Sequence, residues 1–146
     1  MASVSVSHHL PVTPDKAWEA LSDLSRWEEW LTIHQAWKGE LPTEVAVGTR
    51  LTEVVSVMGM ANKIDWTVTA VDAPNTITIA GQGMAGVQIE FTLSVTPEGA
   101  GSQATIDASF TGAMIVGPIG KAVAKNAQAD LETSLATLAG LVQTPA

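Results

Sequence analysis

The feature that most constrains this chain is a switch in hydrophobic period along its length. Between Leu31 and Phe110 apolar residues recur at every second position, while after Gly117-Pro118 they recur about every 3.6. In the last stretch Ile119, Val123, Ala127, Leu131, Leu135, Leu138 and Val142 form one stripe, and Lys121, Lys125, Gln128 and Glu132 take the polar side. That pattern predicts a helix of more than about 20 residues, over about 30 Å long and able to cross a whole small domain. The preceding alternation predicts strands. Lys63–Val71 puts Ile64, Trp66, Val68 and Ala70 on one face; Thr76–Ala80 puts Ile77 and Ile79; Val87–Val95 puts Val87, Ile89, Phe91, Leu93 and Val95; and Ala104, Ile106, Ala108 and Phe110 close the series. Thr49–Met58 is apolar on both faces. Turn residues separate the strands at Gly59-Met60-Ala61-Asn62, Asp72-Ala73-Pro74-Asn75 and Pro97–Ser102, and connections this short imply an antiparallel meander.

The N-terminal segment reads as a strand carrying Val4 and Val6 on one face, then as two short helices. Thr13-Pro14-Asp15 supplies an N-cap, a proline for the first turn and a carboxylate for the positive end of the dipole. Ala17, Leu21 and Leu24 give this helix its apolar face, and Ser25-Arg26-Trp27-Glu28 matches a capping box that opens the second. A sheet with one apolar face and a helix with one apolar stripe must cover each other. The expected architecture is therefore α+β: a curved antiparallel sheet of about seven strands around a long C-terminal helix, with two short helices after the first strand closing one end. The whole of 1–146 reads as one domain.

Composition excludes several functions. The net charge is −8 and the seven Lys and Arg are scattered, so the basic cluster that draws in phosphates is missing and no nucleic-acid partner is expected. There is no cysteine, hence no disulfide, thiolate metal site or cysteine nucleophile. No apolar run approaches a membrane span, and Met1–His9 lacks the regions of a secretion signal. A cytoplasmic monomer or weak homodimer, with no stable membrane insertion, is the expectation. His8 and His9 are adjacent and point to opposite faces of a strand, and His34 has no Asp, Glu or Cys at a ligand spacing, so no metal is expected. Gly81-Gln82-Gly83-Met84-Ala85-Gly86 matches G-x-G-x-x-G, but a strand follows it where a dinucleotide fingerprint requires a helix, so no nucleotide cofactor is expected.

Three stretches carry a family resemblance: Glu29-Trp30-Leu31-Thr32-Ile33-His34, Gly59-Met60-Ala61-Asn62-Lys63-Ile64-Asp65-Trp66-Thr67, and Gly117-Pro118-Ile119-Gly120. With the element order, they make the chain resemble the START-like superfamily, the polyketide cyclase/dehydrase and lipid-transport group. They are similar in particular to an actinobacterial branch that includes a toxin of a type II toxin–antitoxin pair. The resemblance implies a helix-grip fold, a hydrophobic cavity, and binding of lipids, polyketides or other apolar molecules; for the toxin branch it implies an antitoxin partner. It supplies no catalytic motif.

The candidate site is thus a groove between the sheet and the final helix, lined by His34, Trp37, Met58, Ile64, Trp66, Ile79, Met84, Ile89, Phe91, Ala108, Phe110, Met114, Val123, Ala127 and Leu131. Five Trp beside no Tyr and two Phe is an unusual balance. Trp18, Trp27 and Trp30 fit core packing, whereas Trp37 and Trp66 suit the groove, where the Trp66 indole N–H is available to a polar ligand group. Methionines near strand ends adapt to variable apolar shapes. His34 is placed beside Trp37 with one hydrogen bond to give. Small side chains at Ala104, Ala108 and Ala127 are expected to leave an apolar void of a few hundred Å3, about the lower size of ligand sites. Asn126 and Asp130, four apart on the final helix, either polarise a ligand or form a solvated edge. Inward strand positions are almost all apolar, which favours binding of a small apolar molecule over cyclase or aromatase chemistry.

Overall fold

The structure is a computed structural model that describes residues 2–23, 26–32, 34–38, 46–57, 60–72, 75–83, 86–112, 115 and 117–143. Its order is β1 (Ala2–Leu10), α1 (Pro14–Ser22), α2 (Trp27–Trp30), β2 (His34–Lys38), β3 (Arg50–Val57), β4 (Met60–Asp72), β5 (Thr76–Gln82), β6 (Gln88–Glu98), β7 (Gly101–Thr111) and α3 (Gly117–Gln143). One seven-stranded sheet runs β1-β7-β6-β5-β4-β3-β2, every pair antiparallel. β2 to β7 are a meander; β1 is added beside β7, so the first two strands are opposite edges and α1 and α2 carry the chain between them. α1 lies against β6, β7 and α3, and α2 against β2 and α3.

Alternation holds across the central strands. Ile64, Trp66 and Val68, then Ile77 and Ile79, then Ile89, Phe91, Leu93 and Val95, then Ala104, Ile106, Ala108 and Phe110 are all buried. Ala70 departs from the expected face: the β4–β5 register shifts between Val68 and Ala70, which reverses the parity and leaves Ala70 exposed. Thr13 is the α1 N-cap, but only its backbone serves, accepting from the Ala17 N–H at 3.0 Å; its side chain makes no cap bond. Leu24 and Ser25 lie outside the described residues. α2 begins after Arg26 and turns Trp27 and Trp30 into the core.

α3 is anchored unevenly. Leu131, Ser134, Leu135, Leu138 and Ala139 are buried, whereas from Gly117 to Asp130 only Gly120 is. Ile119, first in the apolar stripe, is 52% exposed. The cause is geometric. Residues turn about 100° each around a helix, so a stripe spaced by four drifts about 40° per step, and Ile119 ends up about 160° around the axis from Leu135. The middle of the helix is also pinned. The Thr32 N–H donates to Ser134 Oγ at 2.9 Å, and the Thr32 hydroxyl donates to the Asp130 carbonyl at 3.2 Å.

Among the described residues no helix is long and apolar enough to cross a membrane. The glycine-rich segment does not lead into a helix: Gly83 N–H bonds to the Val87 carbonyl at 2.8 Å, and β6 starts at Gln88. With no helix N-terminus to face a pyrophosphate, titration with NAD(P)H followed by its fluorescence is expected to show no binding at micromolar protein. Saturable binding would refute that reading of the segment.

Candidate functional site

The sheet curls around α3, and where the thinly buried half of the helix crosses it a small, partly open apolar cavity remains. Val55, Ser56, Ile64, Trp66, Ile89, Phe91 and Phe110 line it from the sheet; Val123, Asn126, Ala127, Asp130 and Leu131 line it from α3. Its volume is about 30 Å3, room for little more than one small group and far below the few hundred Å3 expected. The small side chains account for only part of the groove, because Trp66, Phe91 and Phe110 fill most of it from the other wall: Phe91 lies tilted against Trp66 at 5.2 Å and meets Phe110 edge-on at 6.4 Å.

Ile64, Trp66, Ile89, Phe91, Phe110, Val123, Ala127 and Leu131 thus come together as the sequence suggests. Met58, Met84 and Met114 lie outside the described residues. Ile79 and Ala108 face inward and are buried beside Phe91, their register partner, but neither lines the cavity. Trp37 also misses the cavity; it packs 5.4 Å from Trp27, which in turn meets Trp30 at 6.1 Å. Val55, Ser56, Asn126 and Asp130 join the lining instead.

His34 does not line the cavity either, and the reason is a feature absent from the sequence reading. Glu53 points inward from β3 and is fully buried. His34 Nδ1 is in direct hydrogen-bonding contact with Glu53 Oε2, and the Trp66 Nε1–H donates to Glu53 Oε1 at 2.9 Å. The His34 side chain is 2% exposed and its ring packs 5.0 Å from Trp37. The Trp66 N–H, expected to be free for a ligand, is therefore spent on Glu53. Only the indole's apolar surface meets the cavity. His34 and Glu53, separated by nineteen positions, become neighbours because β2 pairs with β3. Inward positions are almost all apolar, as expected, and Glu53 is the buried exception on the central strands; it reaches His34 across strands rather than through a local ligand spacing.

Gly81 completes the setting of Trp66. The two are register partners, and a Cβ at Gly81 would stand 2.7 Å from Trp66 Cε3 and 2.8 Å from Ile64 Cγ2. The indole therefore lies over the bare backbone of β5, with its N–H fixed by Glu53. Gly81→Ala is expected to cost about 1–3 kcal/mol through overpacking and to shift Trp emission; thermal melting and a fluorescence spectrum identical to wild type would contradict this placement of the ring.

A larger and open depression of about 550 Å3 lies on the other face of the sheet, among outward side chains such as Asp65, Thr67, Gln82, Gln88, Glu90, Ser109 and Thr111. It is polar and shallow, and the described residues hold no group of three or more His, Cys, Asp or Glu arranged for a metal ion. The apolar cavity under α3 is the better site for an apolar molecule.

A seven-stranded antiparallel sheet gripping a long C-terminal helix, with an apolar space between them, is the helix-grip arrangement. Solved structures share it along nearly the whole chain. A START superfamily protein from Mycobacterium smegmatis superimposes with a TM-score of 0.79 at 20% identity, covering 98% of each chain. TTHA0849 from Thermus thermophilus does so with a TM-score of 0.79 at 21% identity, covering 97% of each. Residues 1–143 match the family described as polyketide cyclase / dehydrase and lipid transport, and the chain belongs to that family. Among its relatives in Mycobacterium tuberculosis, Toxin Rv0910 is 39% identical over 92% of this chain and 94% of its own length. The uncharacterized protein Rv1546 is 37% identical over 97% of this chain and 99% of its own.

Proposed function

We propose that this protein binds a small apolar molecule between the inner face of the sheet and the N-terminal half of α3. The observation that carries the reading is the cavity itself: a small apolar space walled by Trp66, Phe91 and Phe110 and roofed by a stretch of helix that is scarcely buried. A space of about 30 Å3 cannot hold such a ligand as it stands. The roof must rise. Residues 117–130 are suited to that, because few of their side chains are buried, whereas Leu131, Leu135 and Leu138 hold the rest of the helix in the core. The family's description as lipid transport supports the same reading.

The test is a filled cavity. Ala127 is half-buried and reaches the cavity from the movable half of the helix. Ala127→Phe is expected to fold, since the roof can take up the added ring, and to lose most affinity for naphthalene-sized or fatty ligands in a calorimetric titration. Wild-type affinity in a folded Ala127→Phe protein would place binding elsewhere.

A second reading rests on the relative named as a toxin: that the chain is the toxin of a type II pair and acts through protein interaction, with an antitoxin protein as partner. Induced expression should then arrest growth, and co-expression of a neighbouring gene should relieve it. Growth unaffected at high expression would remove this reading. Both readings take the protein to be cytoplasmic and monomeric or weakly dimeric, and sedimentation at micromolar concentration checks the latter.

A further inference from the structure

A carboxylate in a hydrophobic core is costly, and this one stands directly behind the cavity wall. Glu53 is fully buried on β3, and with His34 it forms the one buried ionisable pair among the described residues. Apolar residues of similar volume in place of such a pair are often neutral for stability or better, so stability alone gives no reason for it. What the pair does hold is Trp66. Glu53 Oε1 takes the indole N–H at 2.9 Å, while His34 Nδ1 engages Oε2 and so fixes the carboxylate itself. One side of the indole lies against Gly81, where a Cβ would come within 2.7 Å of Cε3, and Phe91 is tilted by 42° against it with ring centres 5.2 Å apart. Packing limits where the ring can sit, and the hydrogen bond adds direction, because such bonds weaken steeply away from linearity. Trp66 then walls the cavity beside Phe91 and Phe110, offering it only the apolar part of the indole.

We infer that Glu53 is a positioning residue of the binding site: acting through the Trp66 indole, it holds the cavity wall in one orientation and thereby selects flat ring systems over thicker apolar molecules of the same skeleton. The inference rests on the binding function proposed above and adds the residue that sets its selectivity. The ligand must lodge between the sheet and a rising helix, in a space of about 30 Å3 to begin with. A planar aromatic system is about 3.5 Å thick, the contact distance of carbon atoms, so it asks the least lift of the roof. A saturated bicycle carries hydrogens above and below its mean plane and asks more. Its apolar area is no smaller, so burial alone would not favour the flat molecule. With the N–H unanchored, the indole can turn about its broad χ2 torsion and open the depth that a thicker molecule needs.

The probes are 2-naphthol and trans-decahydro-2-naphthol, which share a skeleton and a hydroxyl and differ in thickness. Each is titrated calorimetrically into wild type, Glu53→Gln and the double variant His34→Phe/Glu53→Leu, with thermal melting as the control for folding. Wild type is expected to bind 2-naphthol about tenfold or more tighter than its saturated counterpart, a difference of about 1.4 kcal/mol. Glu53→Gln keeps an acceptor for the indole N–H, and its amide N–H can meet His34 Nδ1 when that nitrogen carries no proton, so it should keep most of the preference. The double variant removes the acceptor without stranding the imidazole, and its ratio should fall to about threefold or less in a folded protein. A pair with a merely structural role would change melting and leave that ratio at its wild-type value; this result overturns the inference while the binding function stands. So does a wild-type protein that binds both probes equally well, or neither. If naphthalene and 1-dodecanol fail to bind as well, the binding function falls with it. A second reading uses wild type alone and does not depend on either variant folding. The Trp66 indole N–H resonance, identified by its loss in Trp66→Phe, should exchange with solvent no faster with 2-naphthol bound than without it. Acceleration of about tenfold or more would mean that the ligand releases the indole from Glu53, and it overturns the inference.

Discussion

Leu135→Asp is expected to destroy the fold at ambient temperature or to leave it melting far below wild type. Leu135 has no solvent exposure and lies in the part of α3 that the sheet and the short helices enclose, between Leu131 and Leu138. The substitution removes a buried apolar side chain and puts a carboxylate in its place with no counter-charge. Together these cost about 4 kcal/mol or more, against a total stability of about 5–15 kcal/mol for a domain. Circular dichroism during thermal melting measures it directly. Ile119→Asp on the same stripe is the internal comparison: Ile119 is largely exposed, and that change should cost about 0.5 kcal/mol or less. Equal effects at the two positions would mean that the helix is anchored along its whole length.

Breaking the buried pair is the second large effect. Glu53→Ala leaves the His34 ring and the Trp66 N–H without their shared partner in a place closed to water. Removing one member of a buried ionisable pair costs about 3–5 kcal/mol, which in a domain of this size lowers Tm by about 10 °C. Replacing both members with apolar groups should hurt less. The double variant His34→Phe/Glu53→Leu is accordingly expected to melt above Glu53→Ala, since of the three buried polar groups only the Trp66 N–H is then left without a partner. A Glu53→Ala protein within about 1 kcal/mol of wild type would mean that the contact contributes little and that Trp66 is fixed by packing alone.

Period and turn residues carried most of the architecture. The strict alternation from Val87 to Val95, and the return to helical period after Pro118, placed β6 and α3 and with them the fold class. The sheet's parity then brought Ile64, Trp66, Ile89, Phe91 and Phe110 to one cavity. Three things were not legible, each for a physical reason. The β4 bulge that turns Ala70 outward has no signature in a run of alternating residues. The separate fates of Ile119 and Leu135 arise from a drift that a stripe spaced by four conceals. The joining of His34, Glu53 and Trp66 is a cross-strand event: it depends on the pairing of β2 with β3 and of β3 with β4, which no local spacing reports. Glu53 falls in a segment that reads as apolar on both faces, and its inward parity, shared with Leu51 and Val55, was the one signal that marked it. The size of the void was misjudged because small residues on one wall were weighed without the large rings on the other.

Binding in this cavity requires the N-terminal half of α3 to be a roof that yields to a ligand. Amide hydrogen exchange of the intact protein, with and without naphthalene, tests this most directly. In the free protein the amides of 121–130 should exchange at least about tenfold faster than those of 131–140, a difference of about 1.4 kcal/mol in local opening. Ligand should slow the first group and leave the second unchanged. Uniform protection along α3, with no response in 121–130 to a ligand that calorimetry shows to be bound, would contradict the account.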